Sequence, residues 1–272
     1  MLKQRVLTAL VLVPIVIWCV FFAPDPRAFA LFSGLVVMVG AWEWTALIRW
    51  TAPLARGAFA AVVVACLLAL QFLPAETAPV LLPMYGTSLV FWLLALRVVR
   101  AYPKATDLWA NTPVLLPVGL ILLVPAWSGL VQLQQLSHWW LLYVFGLVWG
   151  ADTGAYFAGR AFGKTKLAPA VSPGKTIEGL FGGLCVTGAL MVAVGLHQHL
   201  AGIRFVAFLG LSFLTVLASV LGDLLESMAK RQAGVKDSGT IFPGHGGALD
   251  RIDSLTAAAP VFMLGWLLGG GF

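Results

Sequence analysis

Long apolar segments follow one another along the whole chain, and they constrain its fold more than any other feature of the sequence. A helix that crosses a bilayer needs about 20 mostly apolar residues. Nine segments meet that requirement: 6–23, 28–48, 57–73, 79–99, 113–132, 139–158, 177–197, 203–228 and 254–270. We therefore expect an all-α polytopic integral membrane protein with about nine transmembrane helices.

The composition supports this fold class and excludes others. Charged residues make up 10% of the chain and hydrophobic residues 60%. Soluble domains carry about 25% charged residues, so this chain has too little charge to cover a water-facing surface. Soluble enzymes, secreted disulfide scaffolds and disordered tails are excluded. Cys19, Cys66 and Cys185 are interpreted as small buried hydrophobic residues.

The basic residues predict how the helices are oriented, because cytoplasmic loops of membrane proteins carry an excess of Lys and Arg. If the N-terminus is cytoplasmic, every Lys and Arg except Arg27 and Arg204 falls on the cytoplasmic side. The C-terminus is then expected on the opposite side. We divide the chain into five N-terminal spans (1–138) and a C-terminal region (139–272). The C-terminal region contains two longer cytoplasmic loops, 159–176 and 229–253.

Besides Glu178 at the very start of one span, four carboxylates lie inside predicted spans, where an ionised group is costly and is therefore a candidate for function. They are Glu43, Asp152, Asp223 and Glu226. Glu43 is as consistent with an interfacial or helix-packing role as with a catalytic one. Asp152 shares a helix face with Tyr156 and fits either a functional site or a helix–helix hydrogen bond. A structural salt bridge to Lys230 would explain Glu226.

Asp223 and the loop that follows it carry the residue types that a metal and phosphate site needs. We expect Asp223 to lack a side-chain partner, so a bound cation is the natural candidate for its partner. Asp250 and Asp253 lie three residues apart, so both carboxylates can face one way at the start of the last span. Mg²⁺ usually takes one or two carboxylates and completes its shell with substrate phosphates. Lys230 and Arg231 would neutralise the same phosphates.

The loop 159–176 is a candidate nucleotide site. It contains Gly163-Lys164-Thr165 and Gly174-Lys175-Thr176, but neither has the glycine spacing of a P-loop. Ser172, Lys175 and Thr176 can still bind a triphosphate through hydroxyl, ammonium and backbone N–H groups at the start of a helix. Attraction of the lysines to anionic lipid is the alternative.

The C-terminal half resembles the phosphatidate cytidylyltransferase (CDP-diacylglycerol synthase) family, whose signature is long and specific. The signature runs Ser-x-x-Lys-Arg, four residues, Lys-Asp, and then Pro-x-His-Gly-Gly-x-x-Asp-Arg-x-Asp. It is matched by Ser227, Lys230, Arg231, Lys236, Asp237, Pro243, His245, Gly246, Gly247, Asp250, Arg251 and Asp253. The stretch from Asp152 to Glu178 is similar to the family's upstream block, whereas the N-terminal half matches only in its hydrophobic layout.

The resemblance implies a CTP:phosphatidate cytidylyltransferase, which joins CMP from CTP to phosphatidic acid and releases CDP-diacylglycerol and pyrophosphate. The implied partners are CTP, phosphatidic acid and membrane lipids, but not nucleic acid, and the family precedent is a homodimer. The implied cofactor is Mg²⁺, with or without a second cation. The implied location is a bacterial-type inner membrane with the active site facing the cytoplasm.

The resemblance also implies a role for each site residue. The implied metal ligands are Asp223, Asp250 and Asp253. The residues implied to bind CTP are Asp152, Tyr156, Lys164, Ser172, Lys175, Thr176 and Glu178, and those implied to bind phosphatidate are Ser227, Lys230 and Arg231. The implied catalytic set is Asp223, Lys230, Arg231, Lys236, Asp237, His245, Asp250, Arg251 and Asp253. His245 would bind phosphate or shape the loop.

Two other functions stay open at the level of sequence. A CTP-dependent polyprenol or phytol-type lipid kinase would also need basic loops and membrane carboxylates, but it would release CDP. A cation-coupled transporter would use Asp152 and Asp223 as a midplane ion site. Alternating access needs gating from both sides, whereas the polar residues gather at one side.

Overall fold

In the part of the chain that it describes, the computed structural model is a helical bundle with one short hairpin. The described residues are 10, 14–22, 25, 27–50, 52–73, 78–104, 106–241 and 246–271. The long helices are α1 (Arg27–Leu47), α2 (Pro53–Gln71), α3 (Ala78–Ala101), α4 (Thr112–Leu136), α5 (His138–Phe162), α6 (Ile177–His197), α7 (Gly202–Ala233) and α8 (Leu249–Gly269). A π-helical segment, Trp18–Phe22, precedes them, and a single-turn helix, Thr106–Trp109, lies between α3 and α4.

The predicted polytopic membrane fold is confirmed, because eight described helices are long and apolar enough to cross a bilayer. Of the predicted span 6–23, residue 10 and residues 14–22 are described, and its other residues lie outside the described part of the chain. The helices around the polar segments extend beyond the apolar runs: α5 continues to Phe162 and α7 to Ala233, and α8 already begins at Leu249. The predicted loops 159–176 and 229–253 are correspondingly shorter. Pairing of Glu226 with Lys230 one turn later lets α7 continue into its charged segment.

Small residues let α5 and α6 pack closely. A Cβ on Gly154 would lie 2.7 Å from the carbonyl oxygen of Gly182, and one on Gly183 would lie 2.6 Å from that of Ala151. Helices in a bilayer associate through such van der Waals contact, because lipid tails are as apolar as their own side chains. The contact fixes Asp152, which follows Ala151, relative to the beginning of α6.

Helix α8 is the most buried of the described membrane-spanning helices. The side chains of Ala257, Ala258 and Ala259 have no exposed surface. Gly222 on α7 lies against the beginning of α8, where a Cβ would come within 2.5 Å of the carbonyl oxygen of Asp253. This close approach sets the spacing between the two helices that carry half of the signature residues.

The two polar connections meet at the same end of the bundle. Between α5 and α6 lies an antiparallel hairpin of β1 (Lys166–Ala168) and β2 (Ser172–Thr176). The Nε of Arg231, near the end of α7, donates to the carbonyl oxygen of Val171 in the hairpin turn at 3.3 Å. The sequence did not predict this hairpin, since β2 reads Ser-Pro-Gly-Lys-Thr and lacks the apolar alternation that is typical of a strand.

The close contact between α5 and α6 predicts that two glycines of α6 differ in how well they tolerate replacement by alanine. We expect Gly183→Ala to lower the free energy of unfolding by about 1–3 kcal/mol, because the added methyl group overlaps the backbone of α5. Gly188 has open space at its Cβ position, so Gly188→Ala should be neutral or slightly stabilising through helix propensity. Thermal unfolding of both purified variants in one detergent measures the difference. Equal transition temperatures would contradict the tight packing.

Candidate active site

Lys230 is the centre of a charged cluster formed by α7 and α8. Its ammonium group contacts Glu226, one turn earlier on α7, and donates to Oδ1 of Asp250 on α8 at 2.7 Å. All three side chains are largely buried. A buried charge is tolerated when it is paired and hydrogen-bonded, so the three groups hold the ends of the two helices together.

The second oxygen of Asp250 holds the loop between α7 and α8. Oδ2 accepts hydrogen bonds from the backbone N–H of Ser238 at 2.9 Å and from that of Gly247 at 2.7 Å. The Ser238 hydroxyl lies 2.9 Å from the same oxygen. Both oxygens of Asp250 therefore have donors within the protein, and in this structure the carboxylate anchors the loop.

Glu43, from the distant helix α1, completes this anchor. Its side chain is 4% exposed, and it accepts hydrogen bonds from the backbone N–H groups of Ala248 at 3.0 Å and Leu249 at 2.8 Å. Its Oε2 also lies 3.2 Å from the Ser238 hydroxyl. The first N–H groups of a helix lack partners within the helix and carry partial positive charge. Glu43 therefore caps α8. Of the roles that the sequence left open for Glu43, this is the helix-packing role.

Ser238 is the member of this anchor that the sequence reasoning missed. It directly follows the Lys-Asp pair of the signature, and its hydroxyl lies between the carboxylates of Glu43 and Asp250. Its position inside the signature segment was the only available signal, because a serine in a glycine-rich loop is typical of a turn.

A polar cavity of about 470 Å³ opens between α5, α6, α7 and the hairpin. The predicted site residues that line it are Asp152, Tyr156, Lys175, Thr176 and Asp223. The Nζ of Lys175 lies 2.7 Å from Oδ2 of Asp223, and the Ser227 hydroxyl donates to Oδ1 at 3.1 Å. The expectation that Asp223 lacks a side-chain partner is therefore wrong. The volume is within the range of about 300–1,000 Å³ that is usual for ligand pockets.

Thr176 and Glu178 hold the hairpin against the helices. The Thr176 hydroxyl accepts from the backbone N–H of Gly179 at 3.1 Å and so caps α6. Glu178 accepts from the backbone N–H groups of Lys164 and Thr165, each at 3.1 Å. These hydrogen bonds fix the turn before β1, and the hairpin then presents Lys175 to the cavity.

The other predicted residues surround the cavity. Of the described residues, Lys164, Ser172 and Glu178 are predicted CTP contacts that do not line it. Four predicted catalytic residues are exposed at the same end of the bundle: Arg231, Lys236, Asp237 and Arg251. His245 and Pro243 lie outside the described residues.

The donors around the cavity fit a hard divalent cation. Asp152 and Asp223 both line it and act electrostatically on each other. Nearby on α7, Oε1 of Glu226 is buried and has no hydrogen-bond partner among the described residues. The described residues, including Asp250 and Asp253, form no group of three or more Asp, Glu, His or Cys side chains that could hold a metal unaided. A cation here would share its shell with a ligand's oxygens, as Mg²⁺ usually does with substrate phosphates.

The fold and the site together define a polytopic membrane protein with a cavity suited to phosphates at one end of its helices. Residues 3–268 match the model of the Cytidylyltransferase family. The chain belongs to this family, and it is therefore a nucleotidyltransferase. The family resemblance carried by the signature is confirmed.

Curated relatives from several bacteria agree with this membership. The chain is 50% identical over 274 residues to a phosphatidate cytidylyltransferase of Pseudomonas aeruginosa, with 100% of this chain and 99% of that protein covered. It is 46% identical over 285 residues to one of Haemophilus influenzae, with 96% and 97% covered. It is 39% identical over 178 residues to one of Bacillus subtilis, with 61% and 65% covered.

The cap on α8 predicts that Glu43 needs both of its oxygens. Glu43→Gln keeps the side-chain size but turns one acceptor into an NH₂ group that faces N–H and O–H donors. We expect the free energy of unfolding to fall by about 1–3 kcal/mol, because a buried donor loses its acceptor. Glu178→Gln alters a more exposed carboxylate that also accepts backbone N–H groups, and it should cost less. Thermal unfolding compares the variants, and a wild-type transition for Glu43→Gln would refute the cap.

Proposed function

We propose that this protein transfers CMP from CTP to phosphatidic acid and releases CDP-diacylglycerol and pyrophosphate. Membership of the cytidylyltransferase family and the activity named for its relatives support the proposal. The observation that carries it is the pair of Lys175 and Asp223 in a cavity of a membrane-spanning bundle. An ammonium group for phosphate and a carboxylate for a cation lie there side by side.

In the proposed reaction, a phosphate oxygen of phosphatidic acid forms a bond to the α-phosphorus of CTP. The bond from this phosphorus to the oxygen that bridges to the β-phosphate breaks, and pyrophosphate leaves with the electron pair. Both reactants are polyanions, so their repulsion has to be cancelled before an in-line approach is possible. Phosphate monoesters are largely ionised at pH 7, with a second pKa of about 6, so the scheme needs no general base.

Positive charge for the CTP triphosphate would come from Lys175 and Arg160, which both line the polar cavity. The Tyr156 hydroxyl lies 3.4 Å from Nη1 of Arg160 and helps to orient the guanidinium group. Lys175 is only partly buried, so it can turn from Asp223 toward a phosphate without disturbing the helices. Ser172 and Thr176 belong to the same hairpin and complete the proposed triphosphate site.

Asp152 and Asp223 would hold the Mg²⁺ that the proposal includes, with or without a second cation. When bound, the ion would neutralise charge that develops on the transferring phosphate. Asp253 follows on α8, opposite Gly222, and belongs to the same proposed set of ligands. Asp250, the last member of the set, is already engaged as the anchor of the loop.

Ser227, Lys230 and Arg231 are proposed to bind the phosphatidate phosphate. The Ser227 hydroxyl donates to Asp223, so this residue adjoins the polar cavity. The ammonium group of Lys230 is paired with Glu226 and Asp250. Lys230 would therefore act mainly by holding the loop in place while Ser227 and Arg231 contact the phosphate.

The site is proposed to face the cytoplasm of a bacterial inner membrane, where CTP is available. The asymmetry of Lys and Arg supports this orientation, and the hairpin lies against the end of α7 at one end of the bundle. Assembly as a homodimer stays a prediction from the family precedent.

Turnover of CTP and phosphatidate by the purified protein tests the proposed function. We expect CDP-diacylglycerol and pyrophosphate in equal amounts, and loss of both products when Mg²⁺ is removed with a chelator. Release of CDP with a phosphorylated lipid would identify a lipid kinase instead. Cation flux into proteoliposomes without nucleotide turnover would identify a transporter.

The position of Lys175 predicts a selective effect on CTP. We expect Lys175→Ala to raise the KM for CTP about ten- to hundredfold, because a charge-assisted hydrogen bond to phosphate is lost. The KM for phosphatidate should change less. Lys166→Ala is the matched control, since Lys166 lies on the other strand of the hairpin, is exposed and does not line the polar cavity. A larger effect on the KM for phosphatidate would reassign Lys175 to the lipid.

A further inference from the structure

A second and larger cavity lies beside the polar one and is almost entirely apolar. Its volume is about 750 Å³, and it is lined by α3, the hairpin, α6, α7 and α8. Arg100 is the only charged residue among the described residues that line it. Protein interiors are otherwise densely packed, so a space of this size between membrane-spanning helices is suited to an apolar ligand.

The two cavities share a wall. Leu167 of β1, Leu180 of α6 and Val220 of α7 line both of them. Val220 precedes Asp223 by three residues and therefore lies about 4.5 Å away along the axis of α7. The apolar space thus begins within one helical turn of the proposed phosphate and metal site.

The apolar cavity reaches farther along α7 than the polar cavity, whose lining on this helix ends at Val216. Its lining extends from Leu224 back to Leu211, which is about 20 Å at the helical rise of 1.5 Å per residue. The hydrocarbon core of a bilayer is about 30 Å thick, so the acyl chains of one leaflet fill about 15 Å. The cavity therefore has the length and the direction of a lipid chain whose head group lies at the hairpin.

We propose that this apolar cavity binds one acyl chain of phosphatidic acid while the lipid phosphate lies in the polar cavity. The inference rests on the proposed function and deepens it, because it gives the lipid chain a site and makes the depth of that site a determinant of chain length. Arg100 and Tyr102, at the end of α3, also line this cavity, and their polar groups would meet the polar ester region of the lipid. The substrate's own chain is the occupant that fits, since the shared lining residues place the two cavities side by side.

Leu214 offers a place where the cavity can be shortened without disturbing the core. It lines the cavity nine residues before Asp223 and is 56% exposed, so Leu214→Trp adds volume at a tolerant position. Phe213→Trp is the matched control, because Phe213 is adjacent on α7, is 44% exposed and does not line the cavity. The measurement is kcat/KM with dioleoyl and dioctanoyl phosphatidate in the same mixed micelles.

We expect Leu214→Trp to lower kcat/KM for dioleoyl phosphatidate about tenfold, the effect of taking about two methylene groups out of apolar contact. The value for dioctanoyl phosphatidate should not change, because the shorter chain ends before Leu214. Phe213→Trp should keep the wild-type ratio between the two lipids. If Leu214→Trp does not fold, Leu214→Ala gives the converse test, with a shift of the ratio toward the longer chain.

A wild-type ratio in folded Leu214→Trp, or in Leu214→Ala where that variant is used, would overturn the inference and assign the cavity to bulk lipid. The wild-type protein separates this failure from a failure of the proposed function. If it turns over both lipids while the cavity variants leave the ratio unchanged, only the acyl-chain site is refuted. If it turns over neither lipid, the proposed function and the acyl-chain site fail together.

Discussion

The beginning of α8 depends on two buried carboxylates that come from different parts of the chain. Glu43 accepts from the backbone N–H groups of Ala248 and Leu249, and Asp250 accepts from that of Gly247. Buried N–H groups at the start of a helix are costly without acceptors, and negative charge is favoured there by the helix dipole. Because Glu43 lies on α1, the cap connects the N-terminal helices to the loop that carries the signature.

The cap and the cluster around Lys230 form one ionic network. Asp250 belongs to both, since its Oδ1 meets Lys230 and its Oδ2 meets the backbone of the loop. Removing one partner of a buried ion pair costs about 3–5 kcal/mol, because the other charge is left unpaired. The network therefore makes displacement of the loop costly, which suits a segment that carries several charged residues.

The apolar lengths predicted the membrane-spanning helices well, because a bilayer leaves the backbone no alternative to helix along such segments. The predicted span 177–197 coincides with α6. Periodicity along one helix also predicted the contact between Glu226 and Lys230. Both predictions succeed for the same reason. The groups that interact, backbone N–H and C=O within a helix or side chains one turn apart, are close in sequence.

Long-range pairs were beyond the reach of the sequence. Glu43 and Leu249 are 206 residues apart, and nothing in the composition of either segment indicates the other. Lys175 and Asp223 meet only because a hairpin that the sequence did not predict turns Lys175 toward α7. An isolated carboxylate in an apolar helix indicates that a partner exists. The packing of the helices decides whether that partner is a backbone N–H group or a cationic side chain.

The hairpin explains how one site can serve a water-soluble substrate and a lipid. Lys175 of β2 faces the polar cavity, while Leu167 of β1 lines both cavities. The hairpin is short and lies between helices, so its shape cannot come from a core of its own, and Glu178 and Thr176 supply the missing constraints through backbone hydrogen bonds. Two strands joined by a tight turn keep Lys175 and Leu167 at a fixed separation. The hairpin therefore sets the distance between a bound phosphate and the start of the acyl-chain cavity. It lines the sites proposed for both substrates.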